Sequence, residues 1–180
     1  MSNWRPKRFW KAASVVADEG GFAVHLDGRP VKTPAKQPLL LPTHALATLV
    51  AAEWDAQSGL VNPETMPVTR MANSAIDKVV SQYHEVATLL TAYGETDHLC
   101  YRATHPPALA AQQALAWDPL LEWAAEALQA PLKATAGIAP IAQDPAVLAR
   151  LYDQVLALGN FKLAAFHDLV SISGSLVLAF

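Results

Sequence analysis

Apolar residues recur with two spacings along this chain of 180 residues, and each spacing predicts a different kind of element. Over the first forty or so residues, short apolar runs are broken by polar residues and turn signals, the pattern of strands. Phe22–Leu26 and Arg29–Thr33 flank Asp27-Gly28, a pair that tolerates the two positive φ angles of a type I′ hairpin turn. Phe9–Val16 reads as a preceding strand closed by Gly20-Gly21, and Leu39–Leu41 as one more short strand. Prolines at 30, 34, 38 and 42 exclude a helix here and favour edge strands.

From Thr43 the spacing lengthens to that of helices. Thr43 can cap a helix whose Leu46, Leu49, Val50 and Trp54 share one face and which ends near Gly59. A turn-rich link, Asn62–Pro67, leads to a second helix from Thr69 through Ile76, Val79, Val80 and Tyr83. That helix breaks near Ser81 before Val86, Leu89 and Leu90, and stops by Gly94. Leu99–Arg102 fits a short strand or a last helical turn. Leu109–Ala116 predicts a helix, and Asp118-Pro119 the cap and first residue of a separate one carrying Leu120, Leu121, Trp123, Ala124, Ala127 and Leu128. Residues 132–140 form a connector. Asp144-Pro145 repeats the capping device before Val147, Leu148, Leu151, Val155 and Leu158, with Gly159 as the stop and Asn160 as cap of the final helix. Ser175–Phe180 is apolar to the last residue, a pattern expected of a chain truncated inside or just after a core helix. The pattern predicts an α+β protein: a β-rich N-terminal domain over residues 1–42 and a larger all-helical domain over 43–180.

Composition narrows the function. A hydrophobic content of 52% and only 16% charged residues exclude a disordered tail, and one cysteine excludes a disulfide framework or a thiolate-rich zinc site. The net charge of −3 is uneven, +4 over residues 1–36 and −7 beyond. The basic part is short and the whole is acidic, which argues against nucleic acid as partner. No basic amphipathic helix follows the N-terminal bases, which argues against a membrane surface. Trp4-Arg5-Pro6-Lys7-Arg8-Phe9 is basic but leads into no apolar run, so no secretory leader is expected. Phe161–Phe180 carries Lys162, His167 and Asp168, which suits a buried helix and not a membrane span. With no transit-like extension, the expected location is a bacterial cytoplasm, or the mitochondrial matrix in a eukaryote.

Candidate chemistry is sparse. Cys100 has His98 two residues away and Asp97 beside it, so a small-ligand enzyme using Asp97, His98 and Cys100 is one reading, but Leu99 and Tyr101 flank the thiol with packing groups. The six histidines form no metal-ligand spacing, and no glycine pattern offers a phosphate cradle, so neither metal, cofactor nor nucleotide is expected. Three polar clusters lie inside apolar helices: Glu53-Trp54-Asp55; Thr69 and Arg70 with Asn73 and Asp77; and Glu95-Thr96-Asp97 with Tyr101-Arg102, which bracket Cys100. Buried charge must be paired, so these are read as polar networks or partner contacts. An interaction domain is thus a second reading.

These clusters carry a resemblance. Arg8-Phe9-Trp10-Lys11, Leu26-Asp-Gly-Arg-Pro-Val-Lys-Thr-Pro34, Glu53-Trp-Asp55, Met66-Pro-Val-Thr-Arg-Met-Ala-Asn-Ser-Ala-Ile-Asp77, Thr96-Asp-His-Leu-Cys-Tyr-Arg-Ala103, Trp117-Asp118-Pro119 and Gly174-Ser-Leu-Val-Leu-Ala179 follow one another as in a single family. The chain resembles the assembly chaperones that hold the free alpha subunit of F-type ATP synthase. The resemblance implies a small β-rich N-terminal domain and a helical C-terminal one. It also implies an ATP-independent holdase without catalytic residues or cofactor, with the alpha subunit as partner. Members of that family continue past Gly174-Ser175 through further acidic helices. Trp117 and Asp118 join the candidate contact residues on this ground.

Overall fold

Two positive φ angles, 48° at Asp27 and 83° at Gly28, form a hairpin turn of the computed structural model, which describes residues 7–180. The opening Trp4-Arg5-Pro6 lies outside the described residues. The sheet comprises β1 (Ala13–Asp18), β2 (Gly21–Leu26), β3 (Arg29–Pro30) and β4 (Leu40–Leu41). β2 is its centre: β1 pairs antiparallel along one side, from Ala13 opposite Leu26 to Asp18 opposite Gly21, and β3 and β4 pair with it elsewhere. The first strand therefore begins at Ala13, not Phe9. Asp27 accepts hydrogen bonds from the Lys11 and Ala12 amides at 2.9 and 3.1 Å, which hold its carboxyl below the usual range.

Helix α1 (His44–Asp55) starts where expected, with Thr43 Oγ1 accepting from the Leu46 amide at 3.2 Å. Its buried face is Ala47, Val50 and Ala51, whereas Leu49 is 56% exposed. Small side chains let the helix lie close to the sheet, which displaces the larger apolar residues from the contact. The helix also ends before Gly59, at Asp55. Helix α2 (Pro67–Ser74) runs into a π-helical turn, Ala75–Val79, and the chain unwinds before α3 (Tyr83–Thr91), close to the expected break. The strands end at Leu41, while the compact unit that contains them runs on to Ser81, with α1 packed on β1, β2 and α2.

The second unit, Gln82–Phe180, is mostly helix, with one pair of two-residue strands where the sequence pattern predicts an all-helical domain. A 3₁₀ turn, His98–Cys100, passes directly into β5 (Tyr101–Arg102), so both readings of that stretch occur in succession. Helix α4 (Pro107–Ala127) is continuous, contrary to the separate helices expected around Asp118-Pro119. Pro119 removes one intrahelical bond, to the Leu115 carbonyl, and Leu115 is 81% exposed, so water is at hand there. β6 (Thr135–Ala136) pairs parallel with β5. Asp144 caps α5 (Pro145–Leu156) through the Ala146 amide at 2.8 Å. Gly159, at φ 74°, is the N-cap of α6 (Asn160–Ser173), so Asn160 is its first residue and not its cap. Gly174, at φ 67°, ends α6 and admits the short α7 (Leu176–Ala179). The fold is α+β, a small N-terminal sheet followed mostly by helices. Among the described residues, no helix is long and apolar enough to cross a membrane.

β2 approaches β4 so closely at Gly21 that a Cβ there would collide with the Leu41 carbonyl. Gly21→Ala is therefore expected to destabilise the protein by about 1 to 3 kcal/mol, because a backbone atom cannot step aside as a side chain can. Thermal melting of the variant checks this; an unchanged melting temperature would contradict the packing described.

Candidate functional site

The carboxylates that look chemical in the sequence are turned toward backbone amides. Helix α2 begins at Pro67 behind Met66, which has no side chain able to cap it. Glu53, on α1, supplies the cap: its Oε1 accepts from the Val68 amide at 2.7 Å, and its Oε2 from the Thr69 amide and hydroxyl at 2.7 and 2.6 Å. A negative group at a helix N-terminus also meets the positive end of the helix dipole. Asp55 faces elsewhere, accepting from the Ala13 amide of β1 at 2.8 Å. Trp54, between them, is half-buried and meets Trp10 edge-on with ring centroids 5.3 Å apart.

Arg8 completes this cluster. Its guanidinium donates to the carbonyls of Asp55 and Gln57 at 2.6 and 2.7 Å, closing the C-terminal end of α1, and also to those of Trp10 and Lys11. It lies 3.5 Å from the Asp55 carboxylate and over the Trp10 ring. Within Arg70, Asn73 and Asp77, by contrast, no network forms. Asp77 reaches the loop after β3, accepting from Thr33 Oγ1 at 2.6 Å and the Ala35 amide at 3.1 Å. Arg70 is exposed, and the Asn73 side-chain oxygen is buried without a partner.

In the second unit, Asp97 is fully buried. Its Oδ1 accepts from the Leu99 amide at 3.0 Å, and its Oδ2 from the Leu176 and Val177 amides at 2.7 and 3.1 Å. One carboxylate thus caps both the turn that carries Cys100 and the start of α7. Arg102 donates to the carbonyls of Leu99 and Gln113, each at 2.9 Å, and pairs with Asp118 at 2.8 Å. Its guanidinium lies over Trp117, which packs in turn against the His98 ring. Thr96 is exposed and Tyr101 half-buried, and neither side chain enters this cluster's hydrogen bonds.

Cys100 is buried. Burial first, then the Asp97 charge, push its thiol up to about 12 against the opposing pull of Arg102. A thiol held protonated is no nucleophile. Asp97 is occupied by capping and the exposed His98 packs on Trp117, and among the described residues neither side chain bonds the buried thiol. Among the described residues, no three His, Cys, Asp or Glu side chains converge to hold a metal ion.

Sequence reasoning did not single out the amide side chains that brace these clusters. Gln57 links Glu53, Thr65 and Asn62, and Gln143 pairs with both backbone groups of Lys133 as a strand would. Nor did it single out Tyr83, whose hydroxyl donates to Leu156 and accepts from Gly159 between α5 and α6. No spacing rule reports such contacts, because, apart from the Thr65 hydroxyl, their partners are backbone atoms.

A family model described as ATP12 chaperone protein matches residues 7–125. Protein atp12, mitochondrial, of Schizosaccharomyces pombe is 29% identical over 188 residues, covering 97% of this chain and 64% of that protein. The crystal structure of Atp12 from Paracoccus denitrificans shares 52% identity with a TM-score of 0.93, over 96% of this chain and 74% of that one. The crystal structure of the Atu1473 protein from Agrobacterium tumefaciens shares 42% identity with a TM-score of 0.90, over 97% and 66%. This chain therefore spans less than two thirds of the length of the S. pombe relative.

Asp97→Asn is expected to cost about 2 to 3 kcal/mol, since an amide nitrogen would face a buried N–H where an oxygen now accepts. Denaturant unfolding measures it, and a variant as stable as the parent would refute the capping role. Native Cys100 is expected to resist iodoacetamide at pH 8, where only about one thiol in ten thousand would be ionised, and to react once the chain unfolds. Between pH 9 and about 12 the unfolded thiol ionises and the native one does not. This group's contribution to stability therefore falls as pH rises through that window. Rapid native alkylation, followed by mass spectrometry, would contradict the burial.

Proposed function

Because this chain belongs to the ATP12 chaperone protein family, we propose that it is an ATP-independent chaperone for assembly of the F1 sector of ATP synthase, binding and shielding the unassembled alpha subunit. It works without making or breaking a bond. A subunit of a ring exposes, when alone, the apolar faces it will bury against its neighbours. Covering such a face requires a complementary surface that a neighbouring subunit later displaces by competition.

The observation that carries this reading is the apolar surface of the second unit. Leu115 and Trp123 on α4, Leu169 and Ile172 on α6, and Leu178 on α7 are 41 to 87% exposed, on helices that pack through α7. Exposed apolar area of this kind marks an interaction surface. Within that unit the buried Asp97 carboxylate serves as scaffold, holding the start of α7 in place. The compartment is the one in which the ring assembles: a bacterial cytoplasm, or the mitochondrial matrix in a eukaryote; the S. pombe relative is named as mitochondrial.

Co-purification with the alpha subunit, and suppression of that subunit's light scattering in the absence of ATP, are the expected results. Ile172→Asp should weaken the suppression at least several-fold without lowering the melting temperature, since the side chain is 87% exposed. Failure to bind the alpha subunit, or a requirement for ATP, would overturn the proposal. Capture of a different partner would favour the interaction-domain reading.

A further inference from the structure

Among the described residues, nothing binds several backbone groups along the outer edge of the N-terminal sheet. β1 stands at the end of the strand order, paired with β2 on one side only. The β1–β2 register and the bond from the Asp27 amide to the Ala12 carbonyl, 3.1 Å, place residues 12, 14, 16 and 18 in the hydrogen-bonded pairs of this ladder. The N–H and C=O groups of Ala13, Val15 and Ala17 therefore point away from β2. Ala13 shows the direction directly, since its amide reaches Asp55 on α1. Among the described residues, both backbone groups of Val15 and Ala17 and the carbonyl of Ala13 have no partner on that edge. Ser14, Val16, Ala17 and Asp18 are exposed.

Natural edge strands are usually blunted by lysine, proline or a bulge. From Ala12 to Ala17 this strand holds none of these and no charge at all. Its charges lie at the two ends and are opposite in sign: Lys11 before it, Asp18 and Glu19 after it. A strand with that polarity complements itself when turned end for end.

We propose that β1 pairs with β1 of a second copy of this chain, antiparallel about a two-fold axis at Val15. In that register Val15 faces Val15, Ala13 faces Ala17, and Lys11 faces Glu19 at both ends. A parallel pairing would instead set Lys11 beside Lys11 and Glu19 beside Glu19, which like-charge repulsion disfavours. Val15 exchanges N–H and C=O with its mate, and each Ala17 N–H donates to the other copy's Ala13 carbonyl. The Ala13 amide is the contested group, because Asp55 holds the position that the other copy's Ala17 carbonyl would take. The dimer is therefore weak and reversible, and Asp55 limits it. The contact is isologous and leaves each sheet with no further open edge at β1, so it closes at two copies.

Sedimentation velocity from micromolar to millimolar protein tests this. The parent is expected to dimerise reversibly, less so as salt rises. Val15→Pro removes an amide that β2 does not use, and is expected to be monomeric at an unchanged melting temperature. Lys11→Glu and Glu19→Lys are each expected to weaken the dimer by about tenfold, and the combined exchange to restore it, since it rebuilds the pair with the signs reversed. Asp55→Ala is expected to tighten it. A parent monomeric throughout the range would overturn the proposal. So would a charge exchange that fails to restore association, or a folded Val15→Pro protein that dimerises like the parent.

Discussion

A carboxylate accepting backbone N–H bonds at the start of an element, from a residue distant in sequence, is the interaction on which this structure depends. Asp97 does this while wholly buried, joining a turn to a helix that begins almost eighty residues later. Glu53 does it for a helix that has no cap of its own. The first amides of a helix have no internal partner, and burying them unpaired is costly. A carboxylate satisfies two or three at once and adds a charge that the helix dipole favours. Removing it would leave both ends of the arrangement unsatisfied.

The arginines perform the converse task. Arg8 donates to carbonyls at the end of α1, and Arg102 to carbonyls of the 3₁₀ turn and of α4. Both also lie over a tryptophan, whose ring face favours a cation and shields it from water. Planar forks with several donors suit this bridging better than a lysine's point charge. Acids at the starts of α2 and α7 and Arg8 at the end of α1 therefore hold those helix ends in place, and Arg102 ties the 3₁₀ turn to the body of α4. Alanine is frequent among the buried residues of α1, α2 and α4.

That construction bears on function. The carboxylates of these clusters are taken up by backbone amides, and burial holds the Cys100 thiol well above its usual range. What the molecule offers to a partner is shape and apolar surface: exposed leucine, isoleucine and tryptophan side chains on helices whose ends are fixed. A rigid apolar surface loses little conformational entropy on binding. This is the physical requirement of a holdase for the apolar face of an unassembled subunit.

The hairpin at Asp27-Gly28, the Thr43 and Asp144 caps, a break near Ser81 and the change from strands to helices were all legible in the sequence, because each rests on the conformational preferences of neighbouring residues. Where local signals failed, a wider context prevailed. Asp118-Pro119 reads as a helix start, yet Arg102 binds Asp118 and the helix continues through Pro119. Arg70, Asn73 and Asp77 lie at helical spacing, yet Asp77 serves the loop after β3 instead. The sequence by itself determined most of the strands and helices and which charges would have to find partners. Only the tertiary structure decided what those partners are, since nearly all of them are backbone amides and carbonyls, which every residue carries and no sequence pattern distinguishes.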